Sequence, residues 1–223
     1  MFSHRSYEGS KLLEVFFLVV GAGAFQNSVL VWSTEHRVHH REVDSPLDPY
    51  SISKGFWWAH LFWMFFVNEN FSMKKVPNDL KDNKMIMWQH HYYLPLAISV
   101  GFLVPTLVGW YLGDPLGGFL LGAVTRLFCS NHCTNLINSA AHTWGKRPFS
   151  VLNTARDNWV LALFTFGEGF HNFHHKFQAD YRNGVRWYHY DPTKWIIWTL
   201  HKLGLARDLK ITPEQKINQA RIN

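Results

Sequence analysis

Two apolar stretches dominate the middle of the chain: YYLPLAISVGFLVPTLVGWYLG at 92–113 and LGGFLLGAVTRLFCSNHCTNLI at 116–137. Each approaches the roughly 20 residues that a helix needs to cross a bilayer. Gly113, Asp114 and Pro115 mark a join too short for anything but a helical hairpin turn. A hairpin returns the chain to the side it left, so the segments before residue 92 and after residue 137 are expected in one compartment. The second stretch carries Arg126, Asn131 and His132, which are costly in lipid and are therefore expected to face protein. A buried hairpin of a soluble protein is the competing reading; the first stretch, of spanning length and free of charged residues, favours the membrane.

At 223 residues the chain fits a single domain. Its hydrophobic share of 47% and aromatic share of 17%, beside 22 basic and 16 acidic residues, suit an apolar belt with charged ends. The net charge of +6 does not point to nucleic acid, because the basic residues are scattered and the aromatics lie in apolar runs without a reader motif. The basic density from Lys176 to Arg221 fits a face turned to the cytosol. Cys129 and Cys133 fit neither a disulfide framework nor a zinc thiolate pattern and read as packing residues. The segment 12–32 contains Glu14, Gln26 and Asn27 and reads as a helix at the interface or beneath a polar cap. The Trp-rich run 55–67 and the run 194–205 also read as interfacial, and 68–84 as a polar loop. The expected fold is all-α, an integral membrane hairpin with interfacial helices and a cytosolic helical cap.

The cap carries the chemistry. STEHRVHHRE at 33–42 and GEGFHNFHHKF at 167–177 both contain H-x-x-H-H, as His36, His39, His40 and His171, His174, His175. On a helix, positions i, i+3 and i+4 share a face, so each block presents three imidazoles within one turn. Neutral imidazole is the commonest metal ligand. Six exceed what one four-coordinate zinc uses, and two metal ions are the economical reading. His142 in NSAAH and His4 in MFSHRSY extend the set, while His60, His90, His91, His132, His189 and His201 lack such patterning. Glu35, beside His36, and Glu168, three residues before His171, are candidate carboxylates for orienting the rings, or else solvated or capping charges. Imidazole suits iron, copper, nickel and zinc alike, so spacing does not name the metal.

HRVHH, NSAAH and GEGFHNFHH, with the hairpin between the first two, resemble the membrane fatty acyl desaturases of the stearoyl-CoA desaturase type over residues 1 to about 210. The resemblance implies a di-iron enzyme that uses oxygen and two electrons from a separate donor protein to remove two hydrogens from a saturated acyl chain, commonly at carbons 9 and 10. It implies iron ligation by His4, His36, His39, His40, His142, His171, His174 and His175, with Asn138 holding a water on one iron. It places Gln26 and Trp32 at the bend of the acyl tunnel.

Two departures accompany the resemblance. The family's first box has the form H-x-x-x-x-H after two further spans, and here MFSH supplies only its second histidine, so an N-terminally truncated chain with one ligand fewer is expected. The basic residues that meet the acyl carrier's phosphates in animal acyl-CoA members are replaced by Thr34 and Glu35, and by Asn68 and Glu69. Carboxylates repel phosphates. Acyl-CoA is the expected carrier and a lipid-linked chain the alternative. The competing functions are a histidine-rich di-iron hydroxylase and an inactive membrane fragment.

Overall fold

The computed structural model describes residues 1–66 and 71–222; Asn68 and Glu69 lie outside them. Its regular structure is helical, apart from one two-stranded sheet in which β1 (Glu8–Gly9) pairs antiparallel with β2 (Ala206–Arg207).

The segment 12–32, expected as one helix, is two. Helix α1 (Lys11–Ala22) is started by Ser10, whose side chain accepts the Leu13 N–H. It stops at Gly23, and Phe25 and Asn27 then adopt positive φ, 57° and 69°. Ser28 caps α2 (Val29–Arg41) in the same way through the Val31 N–H. The histidine block His36, His39 and His40 occupies the C-terminal part of α2.

After α2, the Trp-rich run folds as α3 (Phe56–His60) and a 3-10 turn, Phe62–Phe65. The region 68–84, expected as loop, holds in its described part a 3-10 turn, Met73–Lys75, and α4 (Asn78–Lys81). Helix α5 (Lys84–His91) leads into α6 (Tyr93–Ile98). Leu18, Leu30, Val76, Leu80 and Ile86 form the core between these elements.

The hairpin is present. Its first arm runs from α6 through a π-helical turn, Ser99–Leu103, into α7 (Val104–Tyr111). Among the described residues this arm, Tyr93–Tyr111, is the one helix long and apolar enough to cross a membrane. The second arm begins with α8 (Pro115–Gly117), capped by the Asp114 side chain on the Gly117 N–H at 2.8 Å, and continues through a π segment, Gly118–Thr125, into α9 (Arg126–Asn138). Gly109 and Gly118 let the arms touch backbone to backbone: a Cβ on Gly118 would lie 2.6 Å from the Pro105 carbonyl and 2.7 Å from Gly109 Cα.

Arg126, Asn131 and His132 of the second arm, expected to face protein, do so. Pro105 has no N–H to offer the carbonyl of Gly101, one turn back. Arg126 supplies the missing donor, Nη2 to Gly101 O at 3.2 Å, and also reaches Gly23 O at 3.1 Å and Gly122 O, through Nε, at 3.0 Å. Asn131 donates to Ala24 O at 3.2 Å and accepts from Gln26 at 3.2 Å. The turn between α1 and α2 is thereby pinned to the hairpin's inner surface. His132 Nδ1 lies 2.9 Å from His60 Nε2, and His60 Nδ1 lies 2.9 Å from Ser139 Oγ.

Beyond α9 the chain forms a 3-10 turn, Ala140–His142, then α10 (Trp159–Phe164), α11 (His171–Lys176), α12 (Pro192–Lys202) and α13 (Glu214–Ala220). Helix α11 carries the block His171, His174 and His175 and is anchored on its far side. Asp157 Oδ1 accepts the N–H groups of Asn172 and Phe173 at 2.8 and 3.0 Å. The fully buried Asn172 side chain accepts from the backbone N–H of Phe149 and Ser150 and donates to the carbonyls of Ser150 and Ala155. Gly167 supplies a φ of 101° at the turn into the block, against Asp191.

Candidate metal centre

Among the described residues two groups of four histidines stand ready to hold metal ions: His4, His36, His40 and His174, and His39, His142, His171 and His175. The helical spacing sorts them. In α2 the i,i+4 pair His36 and His40 joins the first group and His39 the second; in α11 the pair His171 and His175 joins the second group and His174 the first. Each block therefore serves both groups. His142 arrives from the turn after α9. His4 arrives from the N-terminal segment, held where Arg37 donates to the carbonyls of Ser3 and Phe2 at 2.7 and 2.8 Å and pairs with Asp79 at 2.7 Å.

The rings converge through Nε2. In the first group His4 and His36 approach to 2.7 Å, His36 and His40 to 3.2 Å, and His40 and His174 to 3.2 Å. In the second, His39 and His175 approach to 3.3 Å, His171 and His175 to 3.0 Å, and His142 and His171 to 3.1 Å.

A loop after α2 backs several of these rings. His39 Nδ1 lies 3.0 Å from both carboxylate oxygens of Asp48. His142 Nδ1 lies 2.7 Å from Thr154 Oγ1, which in turn donates to Asp44 Oδ1 at 2.6 Å, so the ring is the donor to Thr154. With Nδ1 protonated, the Nε2 of His39 and of His142 presents a lone pair to the group's centre. His36 Nδ1 lies 3.3 Å from the Tyr50 hydroxyl, and Trp32 stacks on the His36 ring at 4.6 Å. The Nδ1 atoms of His40, His171 and His175 are buried with no hydrogen-bond partner among the described residues.

Burial first, and then the mutual repulsion of neighbouring imidazolium charges, drives His36, His40, His142, His171 and His175 well below the ordinary histidine value. The same causes lower His4 to about 2. His174 is lowered by burial and partly restored by the charge of Glu168 and a hydrogen bond with Asn183. Neutral rings with convergent lone pairs are what a cation requires. The all-nitrogen donor set fits a borderline first-row transition metal, and thiolates take no part, since Cys129 and Cys133 lie on α9 outside both groups.

The remaining sequence candidates fall around this centre. Glu168 accepts from Asn183 Nδ2 at 2.8 Å and so reaches His174 through an amide. Glu35 is buried on the wall of a cavity of about 740 Å³ that Gln26, Asp48, Trp58, Trp63 and Phe65 also line. Thr34 turns back onto its own helix, donating to Leu30 O at 2.7 Å. Asn138 ends α9, half-buried, and belongs to neither group. Asp44, Asp48, Tyr50, Thr154 and Asn183 escape the sequence reading, although Asp44-Ser45-Pro46 and Asp48-Pro49 signal a tight turn right after the block His36, His39 and His40.

The chain matches the family described as fatty acid desaturase over residues 1–208. It is 42% identical, over 98% of its own length and 46% of the relative, to a "Probable acyl-CoA desaturase" of Schizosaccharomyces pombe. It is 40% identical to "Acyl-CoA desaturase 1" of Saccharomyces cerevisiae, over 100% of this chain and 44% of that one. The "sn-2 palmitoyl-lipid 9-desaturase" of Nostoc is 36% identical, over 96% of this chain and 75% of that one. The chain thus spans about half the length of its curated yeast relatives. With four histidine-bearing segments assembled as one centre and the match extending over nearly its whole length, the chain belongs to the fatty acid desaturase family.

Proposed function

We propose that this chain carries the metal centre and substrate-facing wall of an oxygen-dependent acyl desaturase. The observation that carries the reading is the pair of four-histidine groups beside the cavity running from Gln26 to Asp48. His4, His36, His40 and His174 would hold one iron ion and His39, His142, His171 and His175 a second, with Asn138 placing a water near one of them. Bound iron, with oxygen and two electrons, supplies the oxidising power that unactivated methylene C–H bonds demand and that redox-inert zinc lacks.

The residues of the chain do the rest. Trp32 and Tyr50 fix the His36 ring, and Asp48 and Thr154 fix His39 and His142, so the donors hold their aim while a substrate passes. The cavity's aromatic wall excludes water from an acyl chain, and Gln26, held by Asn131, sets the polar bend. The depth of that bend decides which carbon meets the centre. The printed names of the yeast relatives support an acyl-CoA substrate, and that of the Nostoc relative a lipid-linked one with position 9; the reading here is acyl-CoA. Oxygen and a separate electron-donor protein complete the reaction. The arms 92–113 and 116–137 span the membrane, with the histidines on the cytosolic face, supported by the apolar arm Tyr93–Tyr111 and the basic C-terminal region.

Expression in a host lacking its own acyl desaturase, followed by mass analysis of the acyl chains, tests the reading. Products lighter by two hydrogens at carbon 9 support it. Products heavier by one oxygen would make the chain a hydroxylase, and unchanged acyl chains would leave no activity to this half-length chain.

A further inference from the structure

The two groups have equivalent ligands but different surroundings. Behind two rings of the second group, His39 and His142, stands carboxylate. Both oxygens of Asp48, 1% exposed, lie 3.0 Å from His39 Nδ1, and this carboxylate is itself fixed by the backbone N–H groups of Asp44 and Tyr50 at 3.3 and 3.2 Å. His142 donates to Thr154, which donates onward to Asp44 Oδ1, while Asp44 Oδ2 takes the Thr154 N–H at 2.9 Å. Asp44 stands at a φ of 66°, an uncommon conformation for a residue other than glycine that Asp tolerates better than most. One short loop thus sets the tautomer and aim of two rings in the second group.

Behind the first group no carboxylate is seen in direct contact with a ring among the described residues, and one, Glu168, acts through an amide. His36 has the Tyr50 hydroxyl at 3.3 Å, and His174 has an amide, Asn183, between itself and Glu168. His4 rides on a segment held by backbone carbonyls, and unpartnered Nδ1 atoms occur in both groups, His40 in the first and His171 and His175 in the second. A carboxylate behind a ligating histidine raises the ring's basicity and fixes its orientation, and losing such a partner costs about 10–100-fold in metal affinity.

We infer that the two sites fill in order: the group of His39, His142, His171 and His175 takes metal first, and Asp48, Thr154 and Asp44 are the positioning residues that give it precedence over the group of His4, His36, His40 and His174. This ordering rests on the two-metal reading above and adds to it which site is the tight one. It also separates the two ends of each helical block, since His39 and His40, adjacent in sequence, belong to sites of different affinity.

The test is a titration of the metal-free 223-residue chain with cobalt(II), followed by visible absorption and calorimetry, with iron loading measured in parallel. The wild-type chain is expected to bind in two steps at least about tenfold apart, in keeping with the effect of a carboxylate partner. His171→Ala removes the tighter step and His36→Ala the weaker. Asp48→Asn, which keeps the shape of the side chain and removes its charge, draws the tight step toward the weak one by about 10–100-fold. Thr154→Val does the same and Thr154→Ser restores the wild-type profile, which guards against misfolding as the cause. Loss of the tight step in His36→Ala, two indistinguishable wild-type steps, or an Asp48→Asn profile shifted only in the weak step would overturn the ordering alone. A folded wild-type chain that binds fewer than two cobalt ions would overturn the two-metal reading and the ordering with it.

Discussion

Arg126 Nη2 lies 3.2 Å from the carbonyl oxygen of Gly101, the acceptor that Pro105 leaves without its helical donor. The relationship explains how a guanidinium stands inside an otherwise apolar hairpin: it closes a gap in one arm and, through Gly23 O, ties down the end of α1. Arg126→Met removes both bonds and leaves buried carbonyls unpaired, at about 1–3 kcal/mol each. The thermal midpoint in detergent should fall accordingly. Adding Pro105→Ala, which returns a backbone donor to the first arm, should recover part of the loss; a double variant no better than the single one contradicts the pairing.

The close crossing of the arms makes glycine positions unequal. A Cβ at Gly118 meets backbone atoms at 2.6 and 2.7 Å, which cannot yield, so Gly118→Val should destabilise the hairpin by about 1–3 kcal/mol or more. Gly21, inside α1, has nothing within 4 Å of the place a methyl group would take, so Gly21→Ala should stabilise by about 0.5–1 kcal/mol. Equal effects in a paired melting experiment would refute the crossing geometry.

Asn172 makes four hydrogen bonds with the loop behind α11 while its neighbours in sequence, His171 and His174, face the centre. Asn172→Ala strands two N–H groups and two carbonyls in a buried site and should cost upward of about 3 kcal/mol. Asn172→Asp should be worse, since it turns an acceptor toward two carbonyls. Metal content should drop with stability in both, because the anchor sets the register of three ligating rings; full metal content in a destabilised Asn172→Ala chain would separate the two roles.

Asp157 provides a pH signature. Burial pushes its carboxyl up from 3.8 to about 6, against the two backbone N–H bonds that favour its charge. Because the folded value is the higher one, the group favours folding most below pH about 4, and that contribution is lost as pH rises through about 6, a swing of about 3 kcal/mol. Asp157→Asn should therefore gain on the wild type by about that amount between pH 4 and 7, measured as the difference in unfolding free energy. A difference independent of pH would show that the carboxyl is not shifted.

The histidine blocks are legible in sequence because their geometry is local: i, i+3 and i+4 meet on any helix, whatever surrounds it. The hairpin is legible because length and apolarity are additive along a segment. The break between α1 and α2 is harder to see, since apolar residues continue on both sides and the positive φ of Phe25 is imposed by packing against Phe102 and Gly101. Asn27-Ser28 ahead of VLVW is the cap signal that marks it. Asp48 and Thr154 are hidden for a different reason. Thr154 meets Asp44 across 110 residues, and nothing within either segment encodes that meeting. Glu35 lies on the cavity wall, and Glu168 reaches His174 through the Asn183 amide, a relay that proximity in sequence does not reveal.

The division of each block between the two groups turns the backbone into a ruler. Within α2 and α11 the offset between the i,i+4 pair and the i+3 ring is set by peptide hydrogen bonds, which are stiffer than any side-chain packing. The distance between the centres of the two histidine groups is thus written twice, once in each helix, and neither copy can change alone without breaking its match to the other. A single inserted residue between His36 and His39 would rotate the two halves of the block by about 100° and break up both histidine groups at once.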